Sequence, residues 1–193
     1  LPYPVLAPSA KKLDDMVAQY GTVYVKPANG SLGNGIFQLS RQGENGLLAR
    51  HAEGDKSYSS ADLFLNDIQK RKEEIPYIAQ QGIELIRIDG HPADFRVHTN
   101  KNRKGTWTVT AIAVKIAERG GITTHMSKGG VVKTLAQIYD DPKERLHILQ
   151  KLTKTALLIS SVIDEKTEGF IGEIGFDLGM DESKNVWMFE ANS

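Results

Sequence analysis

The residues with the clearest chemical potential lie near the carboxyl end. In Ile174-Gly175-Phe176-Asp177-Leu178, strand alternation turns Ile174, Phe176 and Leu178 to one side and Asp177 to the other. In Met188-Phe189-Glu190-Ala191-Asn192 the same alternation puts Met188, Glu190 and Asn192 on one face. A hairpin turning at Ser183-Lys184 sets Asp177 opposite Glu190. Their Cβ atoms would then be about 4.5–5.5 Å apart, a spacing at which like charges destabilise, so a cation is expected between them. Two carboxylates and the amide oxygen of Asn192 form an all-oxygen set suited to Mg²⁺, with Mn²⁺ as a substitute. The competing reading is a solvated hairpin face neutralised by Lys or Arg.

A second feature is Gly30-Ser31-Leu32-Gly33-Asn34-Gly35. Its spacing is that of a Walker A loop, but Ile36-Phe37 stands where Lys-Ser/Thr is required, and no third glycine completes a dinucleotide fingerprint. What remains is a glycine-rich loop between two antiparallel strands, with Lys26 ahead of it. It reads either as a cover for phosphates or as an inert exposed hairpin. Arg96, in Asp94-Phe95-Arg96, and Lys115 are cations suited to a phosphoryl group in transfer, whose charge spreads over its equatorial oxygens. Their plainer reading is as surface charges or ion pairs. No HExxH, no other short histidine metal spacing and no Gly-x-Ser-x-Gly elbow is present.

These residues need elements to hold them. Ser9 caps a helix carrying Leu13, Met16, Val17 and Tyr20 and closed by Gly21. Residues 22–26 read as a strand, the glycine loop follows, and residues 36–39 and 47–51 form a hairpin. A second helix starts at Ser59 or Ser60, and Pro76 resets the chain to extended for a strand over 77–80. Strands follow at 83–88, 93–99 and 107–116, broken by Asp89-Gly90 and by 101–105. Asp141-Pro142-Lys143-Glu144 opens a long helix with a capping box. Its expected apolar face is Leu146, Leu149, Leu152, Ala156, Ile159 and Ile163. Strands at 170–178 and 186–191 finish the chain.

Composition narrows the classes. Twenty-four basic residues balance 24 acidic ones, so no net basic field exists to condense a nucleic-acid backbone. The absence of cysteine excludes a disulfide scaffold, a Cys-ligated zinc site and thiol catalysis, and agrees with a reducing cytoplasm. No apolar run reaches the ~20 residues of a membrane helix, and neither a nucleic-acid nor a membrane partner is expected. A start at Leu1 and a stop at Ser193 within a promising motif read as a fragment of a longer protein.

The order of features is similar to that of an ATP-grasp nucleotide-binding unit, and within it resembles the endospore coat-associated YheC/YheD-like family. The matching strings are Val23-Tyr24-Val25-Lys26-Pro27, Gly30-Ser31-x-Gly33-x-Gly35-Ile36, Asp94-Phe95-Arg96-Val97, Gly129-Gly130 and Phe189-Glu190-Ala191-Asn192-Ser193, which together span nearly the whole chain. The resemblance implies an α+β fold of two lobes with mostly antiparallel sheets and flanking helices, divided into residues 1–75 and 76–193. It implies Lys26 on the adenine edge and α-phosphate. Ser31, Gly33, Asn34 and Gly35 would close over the phosphates, and Gln80, Gln81, Gly82 and Ile83 would form an adenine-reading hinge. Arg96, with Lys115 as a second cation, would approach the transferred phosphate, and Asp177, Glu190 and Asn192 would bind Mg²⁺. The implied activity is ATP-dependent ligation of an unidentified carboxylate to an amine or thiol through an acyl phosphate. The alternative is a non-catalytic ATP-binding protein of the spore coat, with coat proteins as partners. The family's usual upstream nucleotide lysine and N-terminal acceptor domain are missing, and His125 stands where Asn is more usual.

Overall fold

The computed structural model describes residues 1–29, 35–44, 46–71, 75–117 and 130–192. The chain forms two compact units that change over at Ile83/Glu84.

The N-terminal unit contains β1 (Pro4–Leu6), α1 (Ala10–Tyr20), β2 (Thr22–Pro27), β3 (Phe37–Gln42), β4 (Gly46–His51), β5 (Gly54–Tyr58), α2 (Ala61–Arg71) and β6 (Tyr77–Gln81). Its antiparallel sheet runs β1-β6-β2-β3-β4-β5. Ser9 caps α1 by accepting from the Lys12 N–H, and Gly21 ends it at φ 72°, a left-handed turn that suits glycine. Alternation in β2 buries Val23, Val25 and Pro27 on the core side, with Leu13, Met16, Val17, Phe64 and Ile68 from the helices in the same core. Tyr24 and Lys26 are left on the opposite face. Strand β6, which a boundary at 75/76 assigns to the second lobe, hydrogen-bonds into this first sheet between β1 and β2.

The C-terminal unit contains β7 (Arg87–Ile88), β8 (His91–Lys101), β9 (Trp107–Ile116), β10 (Val131–Lys133), α3 (Leu135–Ile138), α4 (Pro142–Lys166), β11 (Glu173–Met180) and β12 (Val186–Asn192). Its sheet runs β10-β9-β8-β11-β12, with β7 turned onto β8 through Asp89-Gly90, both at positive φ. One sheet face carries Phe95, Val97, Val114, Ile174, Phe176 and Leu178 and shares a core with Ile148, Leu152 and Ala156 of α4. Within that apolar layer Thr99 and Ser160 pair at 2.8 Å, with further bonds to the Ile174 and Ala156 carbonyls, so neither hydroxyl is left unsatisfied. The opposite face is polar.

Several local expectations need correction. The segment 83–88 is a strand only at Arg87–Ile88, plus one bridge from Leu85 to Asp181. The capping box at Asp141 is incomplete. Asp141 accepts from the Lys143 N–H, and Glu144 faces Lys184 at 3.6 Å instead. On α4, Leu146 and Leu149 are exposed, and Ile148 and Ser160 are buried in addition to Leu152 and Ala156.

Candidate functional site

The polar face of the C-terminal sheet is built in rows. Adjacent pairing aligns Glu190, Asp177, Arg96 and Ala113 across β12, β11, β8 and β9. One pleat along lie Asn192, Gly175, His98 and Ala111; one pleat the other way lie Gly179, Asp94 and Lys115. Residues aligned across neighbouring strands share a face, so Asp94, Arg96 and His98 join the acids expected from the hairpin.

Asp177 and Glu190 are register partners, as alternation and the turn position predict. The hairpin reaches that pairing by a different path. Nearer the turn, Leu178 pairs with Met188, Gly179 with Trp187 and Met180 with Val186, and the register shifts between Asp177 and Leu178. Phe189 is therefore the extra residue of a β-bulge. Val186 and Met188 pack on the core side, and without the bulge Glu190 would follow them there. Met188 consequently does not share a face with Glu190 and Asn192, contrary to simple alternation. The bulge re-aims the last strand so that its acid and amide meet Asp177. The Phe189 ring lies over Gly179, where an added Cβ would stand only 2.5 Å from it and 2.7 Å from Leu85.

The turn itself is held by Asp181. Its carboxylate accepts from the Asn185 N–H at 2.8 Å, the Asn185 amide at 3.0 Å and the Trp187 indole at 2.9 Å. Burial pushes that carboxyl up, but the bonds from Trp187 and Asn185 outweigh burial and hold it below its ordinary value. Lys184 adopts φ 63° in the same turn.

Charge on the polar face is compensated from the β8–β9 side. Lys115 Nζ lies 2.8 Å from Asp177 Oδ1 and 3.1 Å from Asp94 Oδ1, and Arg96 Nε lies 3.3 Å from the same Asp177 oxygen. All three members of the Asp94–Lys115–Asp177 chain are buried. The cation expected between Asp177 and Glu190 is thus found beside Asp177, as side chains, and Lys115 sits between Asp177 and Asp94. His98 Nδ1 is 3.1 Å from Glu173 Oε1. An added Cβ on Gly175 would meet His98 Cε1 at 3.3 Å and Arg96 NH1 at 3.4 Å, so this glycine lets both side chains lie across β11.

The donor chemistry fits a hard divalent ion: two carboxylates in register and one amide oxygen a pleat away, with Glu190 and Asn192 open to solvent. Among the described residues, no three His, Cys, Asp or Glu side chains gather as a metal cluster. Asp94 is the further acid of this face, and its position two residues before Arg96 is the sequence signal for it, since both then lie on one side of the strand.

In the N-terminal unit, Lys26 and Gln80 fall on the face of the sheet opposite the core. Lys26 pairs with Ile78, and Tyr24 with Gln80. Tyr24 accepts from Gln38 at 3.0 Å, and burial pushes its phenol up. Gln81 is turned toward β1, its side-chain oxygen accepting from the Tyr3 N–H at 3.3 Å. Gly82 donates its N–H to the Thr22 carbonyl, and a Cβ there would stand 2.8 Å from that oxygen, which requires glycine. Ile83 is the last residue of the unit. Gly35, at φ 73°, lies against the Pro27 ring. Ser31, Gly33 and Asn34, and also His125 and Gly129, lie outside the described residues.

The family model described as YheC/D-like ATP-grasp matches residues 1–193. The chain belongs to the YheC/D-like ATP-grasp family. It is 53% identical over 198 residues to the endospore coat-associated protein YheD of Bacillus subtilis (strain 168), covering 100% of this chain and 44% of that protein. It is 24% identical to the endospore coat-associated protein YheC of the same organism, over 88% of this chain and 47% of that one. The chain therefore spans less than half the length of these curated relatives.

Among solved structures, the ADP complex of an N5-carboxyaminoimidazole ribonucleotide synthetase matches with a TM-score of 0.55 at 11% identity, over 100% of this chain and 40% of that one. The D-cycloserine synthetase DcsG matches at 0.54 and 15% identity, over 98% and 55%. D-alanyl-alanine synthetase A of Vibrio cholerae matches at 0.53 and 11% identity, over 99% and 50%. At such identities the likeness is one of fold, and that fold is ATP-grasp. Among the described residues, no helix is long and apolar enough to cross a membrane.

Proposed function

We propose that this chain is the Mg-ATP-binding part of a spore-coat-associated ATP-grasp ligase that joins a carboxylate to an amine or thiol. The observation that carries the reading is the register pairing of Asp177 with Glu190, with Asn192 one pleat along on the same face and Arg96 beside them. Asp177, Glu190 and Asn192 would hold Mg²⁺, or Mn²⁺ in its place, and the metal supplies charge neutralisation for the polyphosphate. Lys26 and Gln80 are assigned to nucleotide contact, with backbone groups at Gln81, Gly82 and Ile83 contributing. Ser31, Gly33, Asn34 and Gly35 are assigned to the phosphates. Arg96, with Lys115 as a second cation, stabilises charge on the transferring phosphoryl group.

In the proposed reaction a carboxylate oxygen of the acceptor attacks the γ-phosphorus of ATP. The bond to the β,γ-bridging oxygen breaks, and ADP leaves. The amine or thiol then attacks the acyl carbon, phosphate departs, and the nucleophile loses its proton. Arg96 is assigned to the charge that develops in both steps.

A second reading is favoured by one observation. Asp177 is already neutralised by Lys115 and Arg96, as in a purely structural ion network. On that reading the protein binds ATP for coat assembly without turnover. Incubating the full-length protein with Mg-ATP, mixed carboxylates and amines, and coat or cell-wall extracts separates the two. Acceptor-dependent release of ADP and phosphate is expected. ATP binding with no release under any mixture supports the assembly role instead.

A further inference from the structure

We infer that Lys115 is a built-in counter-ion that occupies Asp177 when no divalent cation is bound and competes with that cation for the carboxylate, with Asp94 as the lysine's alternative partner. The inference rests on reading Asp177 as a metal ligand, and goes beyond it by explaining why a ligand carboxylate is buried against an ammonium group.

The geometry is specific. Lys115 is aligned with Asp94 on the neighbouring strand, whereas Asp177 lies one strand further on, aligned with Arg96. Lys115 therefore reaches across β8 to bring Nζ within 2.8 Å of Asp177 Oδ1, while staying 3.1 Å from Asp94. Its side chain is only 9% exposed and those of both aspartates 7%, so each charge depends on the others for compensation. The register partner of Asp177 on its other side is Glu190, a like charge. Without a cation at Asp177 the pair would repel.

A lysine held by one carboxylate alone would resist displacement, because leaving would strand a buried ammonium. Here the loss is limited. When a divalent cation takes Asp177, Lys115 keeps its ion pair with Asp94 and stays compensated. Asp94 thus makes the exchange reversible, and Lys115 sets how much metal is needed to drive it. Asp94 acts on the metal through Asp177, as a positioning residue, and so does Lys115 in the metal-free state, besides its proposed part as a second cation at the phosphoryl group.

The test uses the full-length protein, with Mn²⁺ alone as the probe, followed by electron paramagnetic resonance or calorimetry, and with thermal unfolding measured in EDTA and in Mn²⁺. Lys115→Met should bind Mn²⁺ about tenfold or more tightly than the parent, the scale of one charged hydrogen bond. It should also melt earlier in EDTA and regain that loss in Mn²⁺. Asp94→Asn should do the reverse and bind Mn²⁺ more weakly, because Lys115 then has only Asp177. Opposite signs from two partners in one ion network are not what a purely structural role produces. If Lys115→Met alone does not fold, the double variant Lys115→Met with Asp94→Asn removes one charge of each sign, and it too should exceed the parent in Mn²⁺ affinity. Unchanged or weaker Mn²⁺ binding by the Lys115 variants, with the parent binding measurably, overturns the inference and leaves the metal site standing. No Mn²⁺ binding by the parent or any variant, even with ADP present, overturns both.

Discussion

At the residue scale, Gly175 leaves room for Arg96 and His98, whose side chains stand 3.4 and 3.3 Å from where its Cβ would be. Gly175→Val should keep the fold at a cost of about 1–3 kcal/mol, because the obstructed groups are flexible side-chain ends rather than backbone. It should displace Arg96 and so lower the proposed ligase turnover by more than the loss of stability accounts for; calorimetry and an ADP-release assay together check this. Alternation about a turn at Ser183-Lys184 names the pairing of Asp177 with Glu190, but the chain reaches that register only through the bulge at Phe189, which alternation does not reveal. The contact between Lys115 and Asp177 was not legible in the sequence. It joins strands that are not neighbours, and depends on β11 lying beside β8, a long-range adjacency that local pattern does not encode. The cationic character of Lys115 was visible from the sequence, but its partners required the strand order.

Elements differ in how much of their structure is written in local pattern. Helix α1, with Ser9 and Gly21 as its boundaries, and β9 at 107–116 follow directly from capping residues and alternation. Strand β5 was missed because Gly54–Tyr58 is exposed along nearly its whole length and has no apolar alternation to reveal it. On α4 the expected stripe was partly misplaced, since a hydroxyl, Ser160, lies in the core and two leucines do not. Leu152→Ala should therefore cost about 2–5 kcal/mol, and Leu146→Ala well under 1 kcal/mol, in denaturant unfolding.

The β11–β12 hairpin depends on Asp181. Its carboxyl is held below the ordinary value, so its stabilising effect is complete above the unfolded pKa and is lost as pH falls through the folded one. Trp187 emission should stay constant from neutral pH down to about 4 and change below it, where the carboxylate takes up its proton. Asp181→Ala should abolish that change and lower stability by about 1–2 kcal/mol at neutral pH.

For the whole molecule, the order of weak motifs along the chain was more informative than any one of them, because order reflects topology. The family match over residues 1–193 and the ATP-grasp neighbours agree with the fold so inferred. Lys26 and Lys11 provide a comparison within one unit. Lys26 is half-buried on the sheet face opposite the core, whereas Lys11 is 86% exposed on α1 beside Asp15. Lys26→Met should weaken ATP binding at least about tenfold and Lys11→Met less than about twofold, a difference of about 1 kcal/mol or more. Equal losses would remove Lys26 from the nucleotide site.

The most direct test of the central claim is calorimetry of Mg-ATP binding to the full-length protein and to its Asp177→Asn, Glu190→Gln double variant. The parent should bind ATP in a Mg²⁺-dependent manner, and the double variant, still folded, should lose that dependence. Unchanged Mg-ATP affinity in the folded double variant would contradict it.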